Sequence, residues 1–245
     1  MTEKTSEENI KAGIETALIN KKVSASRINY RPCLLVNGKN QTVLTSILNE
    51  LDTCNSFEFS VAFITSDGLA CLTQKLIELN KYNISGRILT GNYLNFTEPG
   101  ALEKILQFPN IELKVYTKKA FHPKGYIFEQ SNYWSLIVGS SNLTQSALNT
   151  NHEWNLRLLS LTDGQLIEST KNEFESLWQE AEIVDSNWLF SYKALYHSVK
   201  ENRKFIPVDV LDVLEDVEPL DESSARKIIP NKMQNAALLE LNRFR

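Results

Sequence analysis

The sequence predicts an α/β protein with a mixed, mainly parallel β-sheet flanked by helices on both faces. Three observations predict it. From residue 31 to about 117, short apolar runs of strand length alternate with amphipathic runs of helix length, the rhythm of βαβ units whose crossover helices cover a parallel sheet. From residue 125 the rhythm breaks. GYIFE (125–129) and WSLIVGS (134–140) are separated only by Gln130–Tyr133, too short a link for a crossover, so this pair forms an antiparallel hairpin. Two further helical patterns, at 164–180 and 186–203, then close the domain.

Taken in order, Thr5 and Glu8 make a capping box ahead of Ile10, Ile14, Ala17 and Leu18, which recur at helical spacing, so residues 6–22 read as a leader helix. RPCLLVNG (31–38) reads as a strand ending in a turn. QTVLTSILNEL (41–51) is helical, with Val43, Leu44, Ile47, Leu48 and Leu51 on one face. FEFSVAFIT (57–65) is a buried strand, and Ser66 and Asp67 then cap a helix that runs through Leu79. SGRILTG (85–91) and IELKVYT (111–117) are strands on either side of a helix over 99–107. After the hairpin come a short helix near 143–148 and a strand at 154–159.

Composition narrows the class. The chain has 245 residues, 42% apolar and 23% charged, enough to bury a real core. No run approaches the length of a membrane span, and the acidic start MTEKTSEENI lacks the apolar stretch of a secretory signal. Cys33, Cys54 and Cys71 are odd in number and far apart, which fits neither a disulfide framework nor a zinc site. The expectation is a cytoplasmic protein without cofactor or bound metal. The net charge of −4 is unevenly spread: residues 207–222 hold seven carboxylates and no Lys or Arg, so the remainder carries +3. An acidic total therefore does not oppose a polyanionic partner. Residues 1–27 are expected to form the leader, 28–205 the main domain, 206–227 an acidic linker, and 228–245 the opening of another domain.

The chemistry concentrates around FHPKGYIF (121–128). His122 and Lys124 stand two apart, a pair that chance alone supplies often, but IVGSSNLTQSALNTNHEWNL (137–156) follows closely. It places Gly139, Ser140, Ser141 and Asn142 at a strand end just before a helix, where backbone amides are expected to hold an anion. Glu153 opens the next strand. Breaking a phosphodiester bond without a metal needs a nucleophile, a proton donor for the leaving oxygen, and cations or amides around the phosphoryl oxygens. His122 suits the first role as neutral imidazole, with Glu153 receiving the proton of its other ring nitrogen. Lys124 and Asn142 suit the phosphoryl oxygens, supported by Gly139, Ser140 and Ser141. Trp154, Trp178, Trp188, Tyr192 and Tyr196 are expected in the core or in a subunit contact.

Jointly, HPK (122–124), GSSN (139–142) and the EWN beginning at Glu153 resemble the H-x-K … G-S-x-N … E pattern of the phospholipase D superfamily, in its compact nuclease-like branch. Over residues 28–160 the surroundings also resemble a phospholipase-D-like module found at the N-terminus of bacterial helicase-related proteins. The resemblance implies the phospholipase-D-like fold, a phosphohistidine intermediate on His122, and two H-x-K motifs facing each other in one site. Glu129 stands where the superfamily often has Asp. This chain has one H-x-K, since His152 and His197 lack the following Lys. A homodimer sharing one active site is therefore implied. IIPNKMQNAALLELNRFR (228–245) resembles the lead-in to a superfamily-two helicase motor, so an ATP-dependent helicase domain in cis is expected, although no phosphate-binding loop occurs in this chain. DNA or another nucleic acid is the expected partner, and no membrane. The alternatives are a catalytically inactive module that binds nucleic acid or dimerises, and a phospholipid phosphodiesterase.

Overall fold

Local capping decides where the helices begin. The computed structural model describes residues 4–22 and 30–203. Helix α1 (Ser6–Ile14) starts at the expected capping box: the Thr5 hydroxyl accepts from the Glu8 N–H, and the Glu8 carboxylate accepts from the Thr5 N–H. It runs into a π-turn over Glu15–Ile19. Thr42 and Thr45 cap α2 (Val43–Leu51) in the same reciprocal way. Helix α3 (Ser66–Lys81) is capped by Thr65, one residue before the expected Ser66 and Asp67. Beyond its end stands Asn83 at φ 54°, the left-handed conformation that stops a helix and that Asn tolerates better than bulkier residues. Helix α4 (Pro99–Ile105) opens on a proline, whose missing N–H costs nothing there. Helices α5 (Gln145–Asn149), α6 (Gln165–Glu180) and α7 (Ser186–Arg203) complete the set among the described residues.

The strands are β1 (Cys33–Leu35), β2 (Ser56–Val61), β3 (Ser85–Gly91), β4 (Ile111–Tyr116), β5 (Lys124–Glu129), β6 (Trp134–Gly139), β7 (Asn155–Ser160) and β8 (Glu182–Ile183). They form one sheet in the order β1-β7-β6-β5-β2-β3-β4-β8. The expected α/β class, mixed sheet and hairpin are all present. The expectation of a mainly parallel sheet needs correction at the level of pairing. Only β2–β3 and β3–β4 pair in parallel, and the other five ladders are antiparallel. Only α3 and α4 are crossovers between neighbouring parallel strands. The hairpin instead inserts β5 beside β2, and β6, β7 and β1 follow by antiparallel pairing.

Alternation along each strand feeds two cores. On one face Phe57, Phe59, Ile88, Val115, Tyr126 and Phe128 pack against α2, α3, α4 and α7. On the other, Leu89, Tyr116, Ile127 and Leu136 pack against Ile167, Phe174 and Trp178 of α6. Arg87 holds α6 down: it donates to Glu58 of β2 and to Glu175 of α6, and its guanidinium lies over the rings of Phe174 and Trp178 at 4.9 and 5.2 Å. The hydrogen bond from Arg87 keeps the Glu175 carboxyl below its ordinary range. Beyond α6, on the same face, Leu34, Leu156 and Val138 stand exposed in one row across β1, β7 and β6.

Helix α7 reaches the upper edge of the sheet through one buried bond. The Tyr192 hydroxyl donates to the Thr97 carbonyl at 2.7 Å, and the Thr97 hydroxyl donates to the Gly91 carbonyl at 2.7 Å. Tyr192→Phe leaves the Thr97 acceptor without this donor and is expected to cost about 1 kcal/mol. Thermal unfolding checks it, as a fall of about 2–4 °C. No helix among the described residues is long and apolar enough to cross a membrane. The chain divides into Met1–Pro207 and Val208–Arg245. The expected acidic linker (206–227) and helicase lead-in (228–245) lie outside the described residues.

Candidate active site

The residues expected to form the phosphate site, His122, Lys124, Gly139, Ser140, Ser141, Asn142 and Glu153, lie at one edge of the sheet. There β2, β3 and β4 end, β5 begins, β6 ends and β7 begins. His122 lies just before β5 and is exposed, whereas Lys124, its first residue, is only 8% exposed. The Lys124 ammonium touches Nε2 of His122 and also donates to the His122 carbonyl at 3.2 Å. An ammonium carries donors only, so a bond from Lys124 to Nε2 requires the neutral tautomer with its proton on Nδ1, and Nε2 becomes free to attack once the ammonium turns from it to a phosphoryl oxygen. The Phe63 ring meets the His122 ring edge-on at 5.9 Å and lies 6.0 Å from the Lys124 ammonium. The Ala62 N–H donates to the Pro123 carbonyl at 2.9 Å and fixes the backbone between the two functional residues.

Asn142 is anchored to the same wall. Its amide oxygen accepts from the Phe63 N–H at 3.2 Å, so the amino end is the one able to donate to a phosphoryl oxygen. The Ser140 hydroxyl donates to the Glu153 carboxylate, and Glu153 is 9% exposed. Ser141 is fully buried. It accepts from Asn155 Nδ2 at 2.8 Å and takes the Tyr126 hydroxyl on its carbonyl at 3.0 Å. Its side chain therefore shapes the turn from behind and does not face a substrate.

One expectation about this turn is corrected. Three of its amides are not free for an anion, because the fold consumes them: Ser140 N–H donates to the Trp154 carbonyl, Ser141 N–H to Asn155 Oδ1, and Leu143 N–H to the Phe63 carbonyl. Side chains carry most of the work instead. The long contact between strand ends also explains Gly139. A Cβ there would stand 2.2 Å from the Trp154 carbonyl oxygen and 2.6 Å from Asn155. Gly139→Ala is therefore expected to push β6 and β7 apart, at about 1–3 kcal/mol, and to dislodge the Ser140–Glu153 pair. Urea unfolding together with turnover on one substrate checks both effects.

Glu129 sits at the opposite end of β5, where it accepts from the Ser56 hydroxyl at 2.6 Å. It ties two strands and stands apart from the site. Trp154 lies outside the core, being 73% exposed, while Trp178 and Tyr192 are buried as expected. Phe63 was not singled out in the sequence, since an apolar residue at a strand end carries no chemical signal. A cavity of about 880 Å3 opens beside His122 between α6 and the sheet, bordered by Lys119, Phe121, Ile127, Thr170, Glu173 and Leu177. No group of three or more His, Cys, Asp or Glu suited to a metal occurs among the described residues.

Known structures share this architecture. NucT from Helicobacter pylori superposes with a TM-score of 0.50 at 14% identity, over 63% of this chain and 99% of its own. The phosphatidylserine synthase of Haemophilus influenzae gives 0.51 at 13% identity, over 76% of this chain and 47% of its own. Nuc, a phospholipase D family member from Salmonella typhimurium, gives 0.49 at 18% identity, over 64% and 100%. At these identities the likeness of the first two is one of fold. No curated protein matches the sequence. The family model described as "Cardiolipin synthase, PLD-like domain" matches residues 48–178, which takes in every residue assembled at this edge, and the chain belongs to that phospholipase D-like family.

Proposed function

We propose that the chain is a metal-independent nuclease that cleaves DNA through a covalent phosphohistidine, with one active site shared by two copies. The observation that carries this reading is the contact between the Lys124 ammonium and Nε2 of His122, beside Asn142 and the Ser140–Glu153 pair. Nε2 attacks phosphorus, the N–P bond forms, and the P–O bond to the leaving strand breaks. The leaving oxygen takes its proton from the second copy's His122, arriving as imidazolium. Water then attacks the phosphohistidine, loses its proton to that same imidazole, and releases the first His122. Lys124 and the Asn142 amino group hold the phosphoryl oxygens throughout.

Dimerisation is supported by the single H-x-K in the chain and by the apolar row Leu34–Leu156–Val138, which lies exposed on the face that α6 covers only in part. The likeness of residues 228–245 to a helicase lead-in supports action alongside a helicase motor in the same polypeptide. The test incubates the protein with single- and double-stranded DNA in EDTA and measures its mass in solution. Cleavage by a dimer supports the reading, and an inactive monomer overturns it.

A further inference from the structure

Of the four tryptophans, Trp134 and Trp178 are buried at 8% and 4% exposure and Trp188 stacks on Tyr192 at 4.9 Å, whereas Trp154 is turned out at 73%. It is exposed without being loose. Its N–H donates to the Ser140 hydroxyl at 3.1 Å, and its carbonyl accepts from the Ser140 N–H at 3.1 Å. The residues on either side are fixed as well, Glu153 by the same Ser140 hydroxyl and Asn155, 1% exposed, by both polar groups of Ser141. Gly139 permits this close approach of the two strand ends. The main chain that carries the indole is thus pinned to the catalytic turn, one residue from Glu153. It stands beside the end pair of the β6–β7 ladder, Gly139 with Asn155, and so at the catalytic edge of the sheet.

We infer that Trp154 is a stacking platform for the nucleobase next to the scissile phosphate, and that the substrate is single-stranded at the point of cleavage. An exposed aromatic ring on a pinned stretch of main chain beside a phosphate site is what an unpaired base stacks on, whatever its identity. Inside a duplex both faces of each base are already covered by neighbours. The ring can therefore grip only a strand whose base is free to swing out, and it selects for strandedness without selecting for sequence. The inference rests on the nuclease reading above and adds a specificity-determining residue to it.

Comparing DNA with and without bases isolates the role. Binding is measured on the full chain carrying His122→Ala, which prevents turnover, with a ten-nucleotide thymidine strand, an abasic strand of the same length and a duplex. Adding Trp154→Ala is expected to weaken the thymidine strand by about five- to 150-fold, with Trp154→Phe restoring most of the affinity. The abasic strand and the duplex should change less than twofold. Equal losses on based and abasic strands would place the indole in the subunit contact or the fold and overturn the inference, as would no loss at all. Mass in solution is followed for each variant, and dissociation into monomers on Trp154→Ala counts against it. Cleavage by the otherwise wild-type chain is scored separately. Absence of cleavage, or turnover of phospholipid vesicles in its place, removes the nuclease reading, while the binding comparison still decides Trp154.

Discussion

His122→Ala is expected to lower DNA cleavage by at least about 10⁴-fold, because it removes the nucleophile and, in a shared site, the proton donor as well. The loss should lie in kcat, since phosphate binding rests on Lys124 and Asn142, which stay anchored through Phe63 and the His122 backbone carbonyl. His122→Asn keeps a polar amide whose nitrogen lone pair is delocalised and not nucleophilic, and should be as inactive. Two measurements separate this mechanism from direct attack by water. A rapid acid-free quench of wild type on uniformly labelled DNA should trap label on the protein, in a bond stable to alkali and lost in acid, and the His122 variants should trap none. Co-expression of wild-type and His122→Ala chains reports whether the site is shared. If both histidines are needed, activity follows the square of the wild-type fraction, whereas a straight line means that each chain acts alone.

The parts of this site that could be read in the sequence are those whose chemistry is unusual for their place. A histidine and a lysine two apart at a strand entrance, an Asn-bearing turn after a strand, and a carboxylate opening the next strand were enough to pick out His122, Lys124, Asn142 and Glu153. The structure gathers them at one sheet edge because β5, β6 and β7 are sequential antiparallel neighbours. What escaped depends on long-range partners. The amides of Ser140, Ser141 and Leu143 look available in a strand-to-helix turn, and only the approach of Trp154, Asn155 and Phe63 shows that they are spent. Burial of Ser141 and exposure of Trp154 are likewise set by which way the chain turns at Gly139.

The same limit explains the fold. Alternation of strand and helix predicted the β2–α3–β3–α4–β4 core, and the short gap at 130–133 predicted the hairpin, both from local signals. The pairing of β1 with β7 joins residues more than a hundred positions apart, and β8 is a two-residue exposed edge. Neither leaves a local pattern. Successive side chains point to opposite faces in either kind of ladder, so this period alone could not decide the pairing beyond β5.

The largest effect expected away from the site lies beneath β7. Glu50, near the end of α2, is 7% exposed, and burial raises its carboxyl above the ordinary range. Arg157 of β7 opposes that rise from 3.6 Å, and Gln130 donates to the carboxylate at 3.0 Å and to the Glu50 carbonyl at 3.1 Å. Replacing the guanidinium by an aliphatic chain leaves a buried carboxylate with no counter-charge. Arg157→Leu is therefore expected to cost about 3–5 kcal/mol at neutral pH, a fall of roughly 6–20 °C in unfolding temperature. The pH dependence gives the cause away. A carboxyl raised in the folded state favours folding while it is protonated and loses that contribution as pH rises through its folded value. Removing Arg157 raises it further, so the gap between variant and wild type should be small in acid and widen as pH rises through the wild type's already raised folded value, until Glu50 is fully ionised in the variant. Urea unfolding at pH 4 and pH 8 reads the difference. An equal loss at both would mean that Arg157 stabilises through the packing of its stem against the sheet, and that the charge it brings to Glu50 is incidental.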